Sequence, residues 1–311
     1  MFTQGVSIMN RTIPEKVKSQ LRHEVNFGCP LPDCGSPMLT WHHFDPPWHV
    51  KNHHNPDGMI ALCHEHHSMA DQGIFSNEQL HGYKNNPNEL NFVKSKFLWF
   101  PETSLIRLGG GYARDWCELS LCNRPLLEIK KDTDGLTKIS FMLFSESGET
   151  IAAMNKNEFT IIPKNIHDFT VAASSNRIKI WYEKRNIGFE LHYSRKTMEQ
   201  IEKIIEKDKK ENGIETRETD LEALYQKLRQ IDNMDALIPI CFQERDPNTT
   251  MIRWHAIRHM GSDGKIPFIN FEKCNLFYKD KNIHMEKGKV ICGGLRATFC
   301  GFNRISDTGM G

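Results

Sequence analysis

Histidine is crowded into one short stretch of this chain. Ten of its fifteen histidines lie between His23 and His81, and three of the nine cysteines, Cys29, Cys34 and Cys63, lie among them. Imidazoles and thiols gathered in this way point to metal binding and proton transfer more than to packing. Cys29 and Cys34 bracket the turn Cys29-Pro-Leu-Pro-Asp-Cys34, a tight proline-containing loop on which two thiols chelate one ion. Cys63 and His66 stand at i and i+3, so on a helix they project the same way and complete a tetrahedron. A soft, closed set of three cysteines and one histidine suits structural Zn2+. His64, His66 and His67 share one helical turn, so Cys63 with His67 at i and i+4 is an alternative pairing.

A zinc knuckle leaves other polar residues without a purpose. Between its halves lie Trp41-His-His-Phe-Asp45, Pro46-Pro-Trp48 and His53-His-Asn-Pro-Asp-Gly58, and after it comes Ser68-Met-Ala-Asp71. His67 and Asp71, at i and i+4, offer a nitrogen and a carboxylate oxygen from one helix face to a divalent cation. Neighbouring residues of a strand point to opposite sides, so His42 and His43 are free to take different roles. A helix is expected before the site, with Thr12 and Glu15 as a capping box, an apolar stripe at Val17, Leu21 and Val25, and Gly28 as its stop. His49, His53 and His54 fall in the loop beside the site, where loop packing and a phosphate contact both stand as readings. Trp41 and Trp48 either pack the small domain or stack on a base. Gly109 to Gly111 reads as a β turn or bulge, and Cys117 and Cys122 repeat the four-residue gap without an obvious second pair.

Residues Cys29 to Leu80 resemble the HNH, or ββα-metal, endonucleases. The likeness lies in Phe44-Asp-Pro-Pro-Trp48, His54-Asn-Pro56, Gly58-Met-Ile-Ala-Leu-Cys63, then His66-His67 and Ala70-Asp71. It implies a β hairpin and a helix gripping one catalytic ion (Mg2+, Mn2+ or another divalent metal). It also implies hydrolysis of nucleic-acid phosphodiester bonds, with DNA as the expected substrate and 5′-phosphate and 3′-hydroxyl products. By the same resemblance His42 is the first metal ligand, His67 the helix ligand, Asp71 a further ligand and His43 the general base. Asn55 resembles the middle asparagine that pins the connecting loop and orients the base, although it stands further from His67 than is usual, with Gly58 in the nearer place. Cys29, Cys34, Cys63 and His66 resemble the structural zinc set.

Beyond this segment the texture changes. Leu136 to Phe144, Phe159 to Ile162 and Ile178 to Tyr182 are β-branched and aromatic, with turns at Asp134-Gly135 and Ser147-Gly148, which predicts an antiparallel β module over 99–195. Residues 196–232 read as a connector of two helices. Met198, Ile201, Ile204 and Ile205 stripe the first; Leu221, Leu224 and Leu228 stripe the second, with Gly213 between them and a capping box at Thr219 and Glu222. From 233 to 311 the chain turns β-rich again, with Cys274, Cys292 and Cys300 among apolar residues and short strands expected near Ile266–Phe277, Ile283 and Val290-Ile291. The expected fold is therefore α+β: an N-terminal ββα-metal HNH domain with a zinc knuckle over 1–98, then a β-rich module, a helical connector and a small β-rich C-terminal region.

Composition bounds the function. With 39% hydrophobic and 25% charged residues the chain has enough apolar material for sizeable cores. No apolar run approaches the roughly 20 residues that span a bilayer, and Met1 to Asn10 lacks a basic cluster before an apolar segment. No membrane partner and a cytoplasmic location are expected, with an odd number of cysteines fitting a reducing compartment. A net charge of +1 excludes a polycationic cradle, so nucleic acid is expected to bind through a local site and bound cations. The leading expectation is an endonuclease of host defence or a mobile element, whose remainder selects a target, a protein partner or a second copy through 99–232. The competing class is a zinc-stabilised nucleic-acid-binding or assembly module that does not cut. The set His42, His43, His67 and Asp71 separates the two, because binding alone needs no base beside a metal pair.

Overall fold

The computed structural model describes residues 10–87, 93–97, 104–108, 111–114, 117–121, 124–172, 176–211, 262–278, 281–286, 289–293 and 297–300. Its first helix, α1 (Glu15–Glu24), starts at Pro14, whose φ of −59° suits a helix entrance. The capping box expected from Thr12 and Glu15 is not formed, because Pro14 sets the start beyond reach of the Thr12 hydroxyl. Thr12 N–H instead donates to Asn10 Oδ1 at 3.0 Å, and the Glu15 carboxylate accepts from Arg22 Nη2 at 2.9 Å. Nor does Gly28 stop the helix. Asn26 and Phe27 do so by turning left-handed, with φ of 50° and 62°. Gly28 serves another need: a Cβ there would lie 2.9 Å from the Gly35 carbonyl oxygen, across the neck of the cysteine turn.

Strands β1 (Leu39–His43) and β2 (Met59–Cys63) pair antiparallel, with His42 opposite Ile60 and His43 opposite Met59. Helices α2 (His64–Asp71) and α3 (Asn77–Asn85) follow, the latter opened by a capping box between Ser76 and Gln79. Every residue of β2 is buried, in one cluster with Leu21 of α1, Val25 just past its end, Ala70 of α2 and Leu80 of α3. Lys84 of α3 is also buried. It donates to the carbonyls of Pro56 (2.8 Å) and Met59 (2.9 Å) and pairs with Glu24, so one ammonium ties α1 and α3 to the end of the hairpin loop.

The remaining strands are β3 (Val93–Lys96), β4 (Leu105–Leu108), β5 (Gly111–Arg114), β6 (Cys117–Leu121), β7 (Arg124–Lys131), β8 (Thr137–Phe144), β9 (Thr150–Asn155), β10 (Glu158–Ile161), β11 (Asp168–Val171), β12 (Arg177–Glu183) and β13 (Asn186–Lys196). After helix α4 (Met198–Glu211) come β14 (Ile266–Tyr278), β15 (Lys281–Glu286), β16 (Lys289–Gly293) and β17 (Ala297–Cys300). Among the described residues one sheet runs β17-β6-β7-β8-β9-β10-β3 and the other β11-β12-β13-β14-β15-β16, with β4 beside β14 and β5 beside β4. The sheets share one core, where Phe141 meets Phe189 at 4.7 Å and Phe159 stacks on Phe169 at 5.5 Å between ring centroids. The chain is thus mixed α+β and mostly strand.

Two expected boundaries do not survive. Strand β3, placed by sequence within 1–98, is an edge strand of the first sheet, paired with β10. The described strands of 233–311 join the sheets of the earlier region: β14 lies between β13 and β4, and β17 pairs with β6. Ile266 to Phe271 form an unbroken buried run within one strand of 13 residues, and such a run needs a neighbour on each edge and cover on both faces. The β4–β14 pairing is parallel and reaches outside 99–195, within which the described strands pair antiparallel.

Helix α4 opens with a reciprocal cap between Thr197 and Gln200 (3.0 and 3.3 Å) and buries Ile201 and Ile205 against Leu105, Tyr112, Ile266 and Phe268. The second connector helix, with Leu221, Leu224, Leu228 and the Thr219–Glu222 cap, lies outside the described residues, as do Gly109, Gly110 and Cys122. No helix among the described residues is long and apolar enough to cross a membrane.

The hairpin unit is joined to the sandwich by a buried ion pair. Arg22 Nε and Nη2 donate to Asp168 Oδ1 and Oδ2 at 3.0 and 2.7 Å, and Ser19 Oγ adds a bond of 2.8 Å. Burial works against the Asp168 charge, but Arg22 outweighs it and holds the carboxyl below its ordinary 3.8. A depressed carboxylate stabilises the fold fully above that ordinary value and loses its contribution as the pH falls through the lowered one. We expect Asp168→Asn to cost about 3–5 kcal/mol in urea unfolding, because it leaves the buried Arg22 with only the exposed Glu15 carboxylate as a counter-charge. The double change Arg22→Met, Asp168→Leu should recover most of that loss.

Candidate metal centres

Cys63 closes β2 and stands at the N-cap of α2, so one residue ends the strand, starts the helix and carries a thiol. The turn bearing Cys29 and Cys34 is braced by Cys29 N–H to Ser36 O (2.9 Å), Gly35 N–H to Cys29 O and Cys34 N–H to Leu31 O (both 3.2 Å). Asp33 and Gly35 turn left-handed there, with φ of 61° and 60°. The fold brings His66 Nδ1 to 3.3 Å from Cys29 Sγ and 3.2 Å from Cys63 Sγ, and Cys34 Sγ to 3.8 Å from Cys63 Sγ. Bond lengths of about 2.3 Å to sulfur and 2.0–2.1 Å to nitrogen give tetrahedral edges of about 3.8 and 3.6 Å, so the four donors are spaced for one zinc ion. The Cys29 hydrogen bond drives the Cys34 thiol down to about 5, and Cys29 is pushed up by that bond and by burial. His66, not His67, completes this group.

His67 belongs to a second cluster. His42 Nδ1 lies 3.1 Å from Asp71 Oδ1 and His67 Nδ1 3.5 Å from Asp71 Oδ2, with the two rings 5.1 Å apart and nearly perpendicular. All three donors lie within 4.8 Å of one another. The His42 side chain is 10% exposed, that of His67 28% and that of Asp71 60%, so the cluster opens to solvent at its carboxylate. Two imidazoles and one carboxylate suit a divalent ion and leave coordination positions for other oxygens. Burial, and then the charge of His67, push His42 below its ordinary value against the pull of Asp71. Such a shift favours the neutral, ligating imidazole. Among the described residues these are the two clusters able to hold a metal.

His43 points to the other side of β1. Its ring packs against Trp48 (4.9 Å), His53 (5.2 Å) and His54 (5.9 Å), and it hydrogen-bonds the backbone of His53. Its Nε2 is buried and has no partner among the described residues. Burial first, then the charge of His53, hold the imidazole down at about 4, so it is neutral at physiological pH.

Asn55 holds the connecting loop through its own side chain, and the backbone contact on His43 comes from His53. Asn55 Oδ1 accepts from Asp57 N–H at 3.3 Å and caps a short 3-10 turn, Pro56–Gly58, on the exposed rim. The backbone bond that orients His43 comes from His53, whose own ring is buried and doubly engaged. Its Nε2–H donates to Pro46 O at 2.8 Å, and its Nδ1 accepts from Asn55 N–H at 3.1 Å. Asn52 Nδ2 donates to Trp48 O at 3.0 Å. Gly58 is fixed by space, since a Cβ there would fall 1.8 Å from the Asp45 carbonyl oxygen. Trp41 packs in the core of the unit beneath the Arg22 guanidinium, 5.8 Å from its ring. Sequence reasoning missed Lys84, Asp168 and the backbone of His53. A carbonyl carries no side-chain signature, and the two charged residues differ from surface ones only in what surrounds them.

No family model, curated protein or solved structure matches this chain. We expect one zinc per chain, lost in Cys34→Ala and His66→Ala but kept in His67→Ala, as read by elemental analysis of the purified proteins. Strong chelation should abolish the helical signal of α2 and expose the hairpin to protease.

Proposed function

We propose that this chain is a metal-dependent endonuclease of the HNH, ββα-metal, class, which hydrolyses phosphodiester bonds in nucleic acid and prefers DNA. The observation that carries this reading is the meeting of His42 and His67 with Asp71 at one open edge, while the next residue of the same strand, His43, is held neutral by burial and oriented by a backbone bond to His53. A binding module has no use for that neighbouring base.

A divalent ion such as Mg2+ or Mn2+ held by His42, His67 and Asp71 would supply Lewis-acid stabilisation of the charge that grows on the phosphate oxygens. The protein's own part is proton transfer and positioning. A phosphodiester is anionic and repels hydroxide, so the attacking water must lose its proton beside phosphorus. His43, with one ring nitrogen engaged by His53, keeps the Nε2 lone pair to take that proton. An approaching phosphate adds negative charge beside the ring and raises its affinity for the proton, which strengthens it as a base at the moment of attack. The cysteine cluster acts through place alone. Cys63 and His66 fix the first turn of α2, and His67 and Asp71 follow on the same helix. The sandwich is the proposed selector of target or partner.

The test is plasmid nicking with Mg2+ or Mn2+. His43→Ala is expected to lower the rate about 10²–10⁴-fold, the usual worth of a general base, while zinc content and fold stay intact. Equal nicking by wild type and variant, or none by either, overturns the reading.

A further inference from the structure

His54 has the same peculiarity as His43. Its Nδ1 is buried and has no partner among the described residues, and the two rings lie 5.9 Å apart. The tautomer of His54 follows from its other nitrogen: Nε2 faces the Asn10 carbonyl at 2.8 Å, and a carbonyl only accepts, so Nε2 carries the proton and Nδ1 a lone pair. His43 is arranged alike, with one nitrogen toward the His53 backbone and the other left as an acceptor. Two shielded acceptors in one ring cluster leave a need for a donor, since buried polar atoms are rarely without one. Neither nitrogen can satisfy the other, because neither bears a hydrogen.

Water is the smallest group that meets both, for it brings two O–H donors and spans about 5 Å between acceptors at ordinary hydrogen-bond lengths. Trp48 fixes the second ring. Its indole stacks on His54 at 5.3 Å with 24° between planes and also packs against His43. The remaining His54 bond, to Asn10, holds the ring's far edge.

We infer that His43 Nε2 and His54 Nδ1 together hold the attacking water, His43 removing one proton while His54 grips the second hydrogen and aims the oxygen lone pair at phosphorus. The step balances: one O–H bond breaks with its proton passing to His43, one P–O bond forms, and the scissile P–O bond leaves with its electrons on the departing 3′ oxygen. The inference rests on the nuclease reading and adds His54 and the stacking of Trp48 to it.

Two isosteres of His54 separate aiming from packing. Asn places its Oδ1 where the histidine Nδ1 lies, whereas Gln places its amide nitrogen near Nε2 and offers no acceptor at the Nδ1 position. In plasmid nicking with Mn2+, His54→Gln should lower kcat about 10-fold or more with KM unchanged, and His54→Asn should recover most of it. The 15N shifts of the neutral wild-type protein should report His54 as the Nε2–H tautomer. Recovery by Gln and not by Asn, equal loss in both with a raised KM, or an Nδ1–H tautomer would each overturn the assignment. Wild type that nicks while every His54 variant nicks equally well defeats this inference alone; wild type that does not nick defeats it together with its premise.

Discussion

The junction at Cys63 governs the N-terminal half. Strand β2 is buried along its whole length and cannot shift without opening the core of the unit, so Cys63, at its end, has a fixed position. Helix α2 begins on the next residue, and its phase is set where Cys63 and His66 converge on Cys29 and Cys34. Once that phase is set, His67 has no choice of direction: it faces His42 across from β1, with Asp71 one turn on. Two candidate metal clusters therefore share a single helical turn, and the geometry of the second is inherited from the first.

How much of this was legible depends on whether a residue acts through its side chain or its setting. The two donor clusters were readable because metal ligands must come from a few residue types at spacings that a turn or a helix makes adjacent. Three histidines on one helical turn, His64, His66 and His67, left the division between clusters open, and only the direction of each ring settled it. The orientation of His43 was not legible, since the bond comes from a backbone group and any residue at position 53 supplies one. Pro14 overrode a good local capping signal in Thr12 and Glu15, while the unremarked pair Thr197 and Gln200 did form a cap. In the sandwich, alternation located β8 and β12, whereas the interleaving of β14 and β17 with much earlier strands left no trace in local pattern.

The same contrast between local signal and distant partner marks the buried charges. Arg107 on β4 meets Asp208 of α4 and Asn270 of β14, and the Tyr112 hydroxyl donates to the same carboxylate. Asp208 is fully buried, and burial with that carboxylate at hand pushes the Tyr112 hydroxyl well above its ordinary range. Buried ion pairs of this kind contribute little net stability but are costly to break, so they fix which surfaces meet. One pins α4 to the second sheet, and Arg22 with Asp168 pins α1 to β11.

The pairing of Arg107 with Asn270 spans 163 residues of chain, and both sheets need strands from the far end to be complete. The contacts of the hairpin unit, by contrast, are nearly all short in sequence. During synthesis on the ribosome, the first 85 or so residues can therefore collapse around the buried strand β2 while β14 to β17 are still being translated, because near neighbours meet faster than distant ones. The two halves of this molecule are born at different times, and the sandwich spends that interval with β4 and β13 uncovered.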